Sequence, residues 1–280
     1  MQKDPLFTRR RALLAGAAAV GAAGTAGLFV WGVGGEPVRP SVPVAGAPAR
    51  RVPLKPSAYR LQPLTGYGPS RTTTPGRTPV RRAPLLRLDG RGRTMVLTFD
   101  DGPHPRYTPA VLDILAEYDV RAMFFVCGEM AADHPELLAR MADEGHVVGN
   151  HTWSHPLLTE LTRRQIRSEM SRTCDVIEDA YGERPRWFRA PYGAWNRAAF
   201  QLGAELGMEP LAWTVDTLDW TTPGTRTIVD RVEHGAGPGV VLLSHDAGGD
   251  RTQSVLALRR YLPQLLDSGY HVTVPYRQYA

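Results

Sequence analysis

Residues able to do chemistry stand in five short clusters between positions 98 and 245 of a 280-residue chain. The first sets two carboxylates side by side, Asp100 and Asp101, ahead of Gly102-Pro103. At a strand end such neighbours point opposite ways, so one can ligate a cation while the other faces substrate. The second, His151-Thr152-Trp153-Ser154-His155, carries two imidazoles at metal-ligand spacing. Thr152 stands where a zincin-type helix needs glutamate, which excludes that protease chemistry. Two imidazoles and one carboxylate leave coordination positions open, as catalytic rather than structural metal sites do. Asp101 is the candidate third ligand. Arg189 is a natural partner for Asp100, a fixed cation that keeps the carboxylate ionised and oriented. Asp219 is placed to hold the ring of His245 and raise its pKa, which makes a general acid. Trp153, Tyr192 and Trp220 are suited to stacking on sugar rings or walling a pocket. Ser244 lies beside His245, but there is no Gly-x-Ser-x-Gly elbow, so a serine hydrolase is excluded.

Each cluster alone has a plain structural explanation: a turn, a surface histidine pair, a core histidine. Their position argues otherwise. Apolar strand-like runs at 95–99, 122–126, 146–149, 187–189, 211–215, 240–244 and 271–274 alternate with helix-like segments. The polar residues gather at the C-terminal ends of five of these runs: Asp100 and Asp101, His151 and His155, Arg189, then Asp216, Asp219 and Trp220, and finally His245. That edge carries the active site in open and closed α/β sheets. Thr108-Pro109 predicts a helix N-cap followed by proline at the first helical position. Thr162 with Gln165 predicts a capping box opening a helix that stops near Gly182. Gly207 and Gly269 sit where helix C-terminal glycines belong. The fold class expected is α/β: a mostly parallel sheet of about seven strands, an incomplete or deformed (β/α) barrel, preceded by a disordered basic tail.

Charge divides the chain into three parts. Residues 1–34 carry a net charge of +3, residues 35–93 a net of +10 and residues 94–280 a net of −8. The overall +5 therefore belongs to the tail, and the expected folded part is acidic. The basic stretch lacks interleaved aromatics and a binding motif, which speaks against a nucleic-acid partner. Thr8-Arg9-Arg10-Arg11-Ala12-Leu13-Leu14 before an Ala/Gly-rich apolar run predicts a twin-arginine export signal over 1–34, with N-terminal membrane contact as the alternative. Residues 35–93, rich in Pro, Arg, Thr and Gly, read as a disordered linker or tether compatible with an anionic wall or membrane surface. Residues 94–280 are the expected catalytic domain. Two cysteines, Cys127 and Cys174, exclude a disulfide scaffold and a four-cysteine zinc site, and both read as buried hydrophobes.

The clusters stand in an order that resembles a known family. Thr98-Phe99-Asp100-Asp101-Gly102-Pro103, His151 through His155, Arg189-Ala190-Pro191-Tyr192-Gly193, Asp216-Thr217-Leu218-Asp219-Trp220 and Leu243-Ser244-His245 are similar to the five motifs of the polysaccharide deacetylases with a NodB homology domain, carbohydrate esterase family 4. The resemblance covers roughly 94–280. It implies a deformed (β/α) barrel and a metal-dependent hydrolase that removes acetyl groups from carbohydrate. By this resemblance Asp101, His151 and His155 are metal ligands, Asp100 the general base and His245 the general acid. Arg189 orients Asp100 and Asp219 tunes His245. Trp220 and Leu243 line an acetyl pocket, and the backbone N–H of Tyr192 faces the oxyanion. Two imidazoles and a carboxylate suit Zn2+, with Co2+, Ni2+ or Mn2+ also compatible. The expected substrate is a carbohydrate polymer containing N-acetylglucosamine, peptidoglycan or chitin oligomers, acted on by a monomer. The alternatives are an acetyl xylan esterase and an inactive wall-binding module.

Overall fold

The computed structural model describes residues 78–88 and 92–275. The segment at 1–34, expected to be an export signal, and most of the basic segment lie outside the described residues, and among the described residues no helix is long and apolar enough to cross a membrane. The elements in order are β1 (Thr94–Asp100), α1 (Tyr107–Glu117), β2 (Met123–Val126), α2 (Gly128–Asp133), α3 (Pro135–Asp143), β3 (Val147–Asn150), α4 (Arg163–Tyr181), β4 (Trp187–Phe188), α5 (Arg197–Glu205), β5 (Glu209–Pro210), β6 (Val215–Asp216), α6 (Thr225–Gly235), β7 (Val240–His245), α7 (Thr252–Asp267) and β8 (His271–Val272). Seven strands hydrogen-bond in the order β5-β4-β3-β2-β1-β7-β6, and β8 adds to the first residues of β1. Every pairing between these strands is parallel, giving a curled, incomplete (β/α) barrel as expected.

The two-residue period of the strands separates structure from chemistry. Met95, Leu97 and Phe99 of β1, Phe124 and Val126 of β2, and Val240 and Leu242 of β7 point outward into one core shared with Leu112, Leu115, Leu138, Leu258 and Leu262 of the helices. The alternate residues point inward: Val96, Met123, Phe125 and Val241 form a separate inner cluster with Leu211. Thr98, Asp100, Leu243 and His245 continue that inward series at the top of β1 and β7. Burying a leucine or phenylalanine contributes about 1.5–3 kcal/mol, so the outer core fixes the register that aims the inner polar residues.

Local signals behave mostly as expected. Thr162 and Gln165 form the capping box of α4, and Gly182 closes it in the left-handed conformation. Gly207 and Gly269 take positive φ just past α5 and α7. Cys127 and Cys174 are free and buried.

Three expectations are corrected. Thr108 is not a cap and Pro109 is the third helical residue, not the first: α1 begins at Tyr107, and the Thr108 hydroxyl instead donates to the buried Asp246 carboxylate while accepting from the His104 N–H at 2.8 Å. A tertiary acceptor outcompetes the helix end. The single strand expected over 211–215 does not form: β5 (Glu209–Pro210) ends just before this run, β6 (Val215–Asp216) starts at its last residue, and the two sit at opposite ends of the strand order. Between them the backbone turns from one partner to another: Ala212 N donates to the Leu85 carbonyl at 2.8 Å and Thr214 N to the Val241 carbonyl at 2.9 Å. Its apolar residues signal burial, but the segment crosses the opening of the sheet instead of running along it. The partner at Leu85 corrects the third expectation, since residues 85–88 were assigned to the unstructured linker. Leu85 bridges Leu211 in parallel, Arg87 bridges Val240 in antiparallel, and Leu85 and Leu88 pack on the inner cluster. Proline and arginine dominate the surroundings and mask these few apolar residues.

Candidate active site

Asp100 ends β1, and beyond it the chain turns sharply, with Asp101 at φ 74°. The neighbouring glycines make the turn fit. A Cβ on Gly102 would overlap the Asp246 carboxylate, and one on Gly248 would overlap Asp101 Oδ2. The turn brings Asp101 Oδ1 to 3.3 Å from His155 Nε2 and 3.6 Å from His151 Nε2. The histidines come from the loop after β3. Thr152 at φ 68° and His155 at φ 56° bend that loop, and α4 holds it. Glu169 accepts the Trp153 and Ser154 N–H groups at 2.9 and 2.8 Å, and Asn150 ties the loop start to the Met170 carbonyl at 2.8 Å.

These three side chains fit a divalent cation. His151 Nδ1 lies 2.8 Å from the Arg189 carbonyl, to which it donates, so Nε2 presents its lone pair to Asp101. Burial, then the His155 imidazole, push the His151 pKa down to about 3, so the ring is neutral. Asp101 Oδ1 is buried without a hydrogen-bond partner, and one donor atom from each of the three residues lies within 4.8 Å of the others. Converging donor atoms around an unpartnered carboxylate oxygen are an arrangement that a cation satisfies.

Two ion pairs stand beside this group. Asp100, 2% exposed, meets the fully buried guanidinium of Arg189 at 2.6 Å. Arg189 also donates to Thr98 Oγ1 at 2.8 Å, to the Leu211 carbonyl at 3.1 Å and to the Ala212 carbonyl at 2.8 Å. Burial raises the Asp100 carboxyl above its ordinary value, and the Arg189 guanidinium opposes that rise. A raised carboxylate is the stronger base. Replacing Arg189 with methionine should cost about 3–5 kcal/mol in denaturant unfolding, because it strands a buried carboxylate. An unchanged midpoint would show that the pair does not support the fold.

On the other side, His245 Nδ1 sits 2.7 Å from Asp219 Oδ1, and its backbone N–H donates to Asp219 Oδ2 at 2.9 Å. Burial would lower the imidazole pKa, but the Asp219 hydrogen bond and charge outweigh it and lift it to about 9. Burial likewise works against the charge on Asp219, yet the bonds from His245 and Ser254 bring its pKa below the ordinary value.

The sequence and the fold are similar to those of known proteins. The sequence model for the polysaccharide deacetylases matches residues 87–211. A chitooligosaccharide deacetylase of Sinorhizobium fredii is 42% identical over 188 residues, 63% of this chain and 87% of that protein. The chain belongs to the polysaccharide deacetylase family. Among solved structures of this family, the Bc1960 peptidoglycan N-acetylglucosamine deacetylase is 36% identical with a TM-score of 0.66, over 69% of this chain and 91% of that one. A family 4 pseudoenzyme from Bacillus anthracis is 29% identical with a TM-score of 0.64, over 68% of this chain and 66% of that one. The polysaccharide deacetylase fold is thus shared by proteins described as enzymes and by one described as a pseudoenzyme, so activity must be argued from the site.

The remaining residues singled out in the sequence also fall near this edge. Tyr192 is 68% exposed at φ 60°, and its ring meets His155 edge-on at 4.5 Å between centroids. Trp220 is 55% exposed on the turn that carries Asp219, and Leu243 is buried in β7. Asp216 is occupied locally, accepting the Leu218 N–H at 2.8 Å. Trp153 differs: it packs against Gly128 and lies under the Arg172 guanidinium, 3.8 Å from the ring centre, so that face is already covered. Sequence reasoning missed Glu169, Asp246, Arg251 and Ser254. Asp246 is fully buried, and burial pushes its carboxyl up to about 7, beside Thr108 and against Gly102. The adjacent position to His245 was the one available signal for it.

Proposed function

We propose that the protein is a metal-dependent deacetylase that removes N-acetyl groups from an N-acetylglucosamine-containing polysaccharide, releasing acetate. One observation carries the reading: an arginine-paired carboxylate and an aspartate-paired imidazole flank three converging metal-type donors on one sheet edge. Asp101, His151 and His155 would hold the cation, with Zn2+ best suited to the donor set. When bound, the ion supplies Lewis-acid polarisation of water and of the acetyl carbonyl.

The chain's own residues supply the proton transfers. Asp100, positioned by Arg189, takes a proton from the attacking water. The Tyr192 N–H donates to the oxygen on which negative charge develops. His245, held by Asp219, gives its proton to the departing nitrogen. An imidazole with a pKa of about 9 remains protonated at neutral pH. That suits an amide, whose leaving nitrogen needs a proton, more than an ester. Tyr192 and Trp220, both exposed, offer ring faces to sugars, while Leu243 and Trp220 would bound the acetyl group.

We further propose export through the twin-arginine segment at 1–34 and tethering by the basic stretch that follows, which places the enzyme at a cell wall. Relatives described as chitooligosaccharide and peptidoglycan deacetylases support either polymer as substrate. The test is acetate release from chitooligosaccharide, peptidoglycan and acetylated xylan, with and without chelator. Acetate from the first two, lost on chelation and restored by Zn2+ or Co2+, is the expected result. Release from xylan alone would assign an esterase, and no release from any would assign an inactive binding module.

A further inference from the structure

The pair Asp219–His245 does not stand alone, because a third buried group reaches it from outside the five motifs. Ser254, in the first turn of α7 and 6% exposed, donates its hydroxyl to Asp219 Oδ2 at 2.6 Å. The carboxylate is itself fully buried, and each of its oxygens is engaged: Oδ1 with the His245 ring, Oδ2 with the His245 backbone N–H and with Ser254. Arg251, also buried, fastens the same region, donating to the Ala247 carbonyl at 2.6 Å and to the Asp219 carbonyl at 3.3 Å.

Two of these contacts come from the backbone or from the ring being positioned. The hydroxyl of Ser254 is the side-chain donor that fixes the rotation of the Asp219 carboxylate about its own axis. Rotation matters because an in-plane oxygen directed at Nδ1 holds the imidazole with Nε2 facing the reacting edge. Without the serine, Oδ2 keeps one donor, the backbone N–H, and the carboxylate is held less firmly in that plane.

We propose that Ser254 is a positioning residue for leaving-group protonation, acting through Asp219 to keep the His245 ring in the orientation that delivers its proton. The proposal rests on the reading of His245 as general acid, and the experiment separates the two. Wild type, Ser254→Ala, Ser254→Cys and Ser254→Thr are compared on a chitooligosaccharide amide and on 4-nitrophenyl acetate. The nitrophenolate leaves without a proton, so a defect confined to proton delivery spares the ester. His245→Ala serves as the reference.

Loss of one buried hydrogen bond predicts that Ser254→Ala lowers kcat on the amide about 10-fold. KM should stay within about twofold and the bound metal per chain unchanged, because this group lies off the ligand set, and the ester rate should equal wild type. Ser254→Cys keeps the volume with a poor donor and should show the same split; Ser254→Thr restores a hydroxyl and should recover kcat. If His245→Ala lowers amide and ester rates alike, the general-acid reading fails. If His245→Ala separates them while Ser254→Ala and Ser254→Cys match wild type, or lower both rates equally, the positioning role is overturned. Loss of metal in the serine variants would overturn it as well.

Discussion

Asp101→Ala should yield protein that folds, binds no stoichiometric metal and releases no measurable acetate. Asp101 supplies the one carboxylate of the converging set, and its Oδ1 lies between both Nε2 atoms. Two imidazoles remain in the variant, without the carboxylate charge that offsets a divalent cation in a partly buried site. The polarisation that a bound cation contributes amounts to several kcal/mol, so the fall in kcat should be about a thousandfold or more. Metal analysis of the purified variant and acetate release are measured on the same sample. The fold should survive, since Asp101 sits in a turn and makes no hydrogen bond through Oδ1. A variant that kept one equivalent of metal would place the ion elsewhere.

His245→Ala should give the complementary result: metal retained, deacetylation reduced about 10²–10⁴-fold. The imidazole faces Asp219 and is not in the ligand set, so the two properties separate. The pH profile carries the sign. A raised imidazole pKa means the acid form persists below it, so activity should fall on the alkaline side near pH 9. Asp219→Asn removes the charge that lifts this pKa and should move the alkaline limb to lower pH, toward the ordinary imidazole value of about 6.5. An alkaline limb at the same pH in both proteins would assign it to another group.

Both predictions use residues legible in the sequence, for a physical reason. Asp100, Arg189 and His245 are polar residues ending apolar runs, and a parallel sheet collects such ends on one edge. The residues that hold them were not legible. Glu169 and Ser254 lie on α4 and α7, where a polar residue facing the site looks the same as one facing solvent. Only the docking of each helix on the sheet distinguishes them. Residues 85–88 were hidden by composition, because a short strap borrows its stability from the strands it bridges. The break over 211–214, between β5 and β6, was hidden because strand-like residues also serve a segment crossing the inner core.

That crossing gives Arg189 a second duty. β5 and β6 do not pair, and the guanidinium bonds both the crossing carbonyls of Leu211 and Ala212 and the β1 groups Thr98 and Asp100. It is a rivet across an unsewn seam. Losing that arginine therefore does more than free one carboxylate: it leaves β1 and the crossing segment without the side chain that bonds to both.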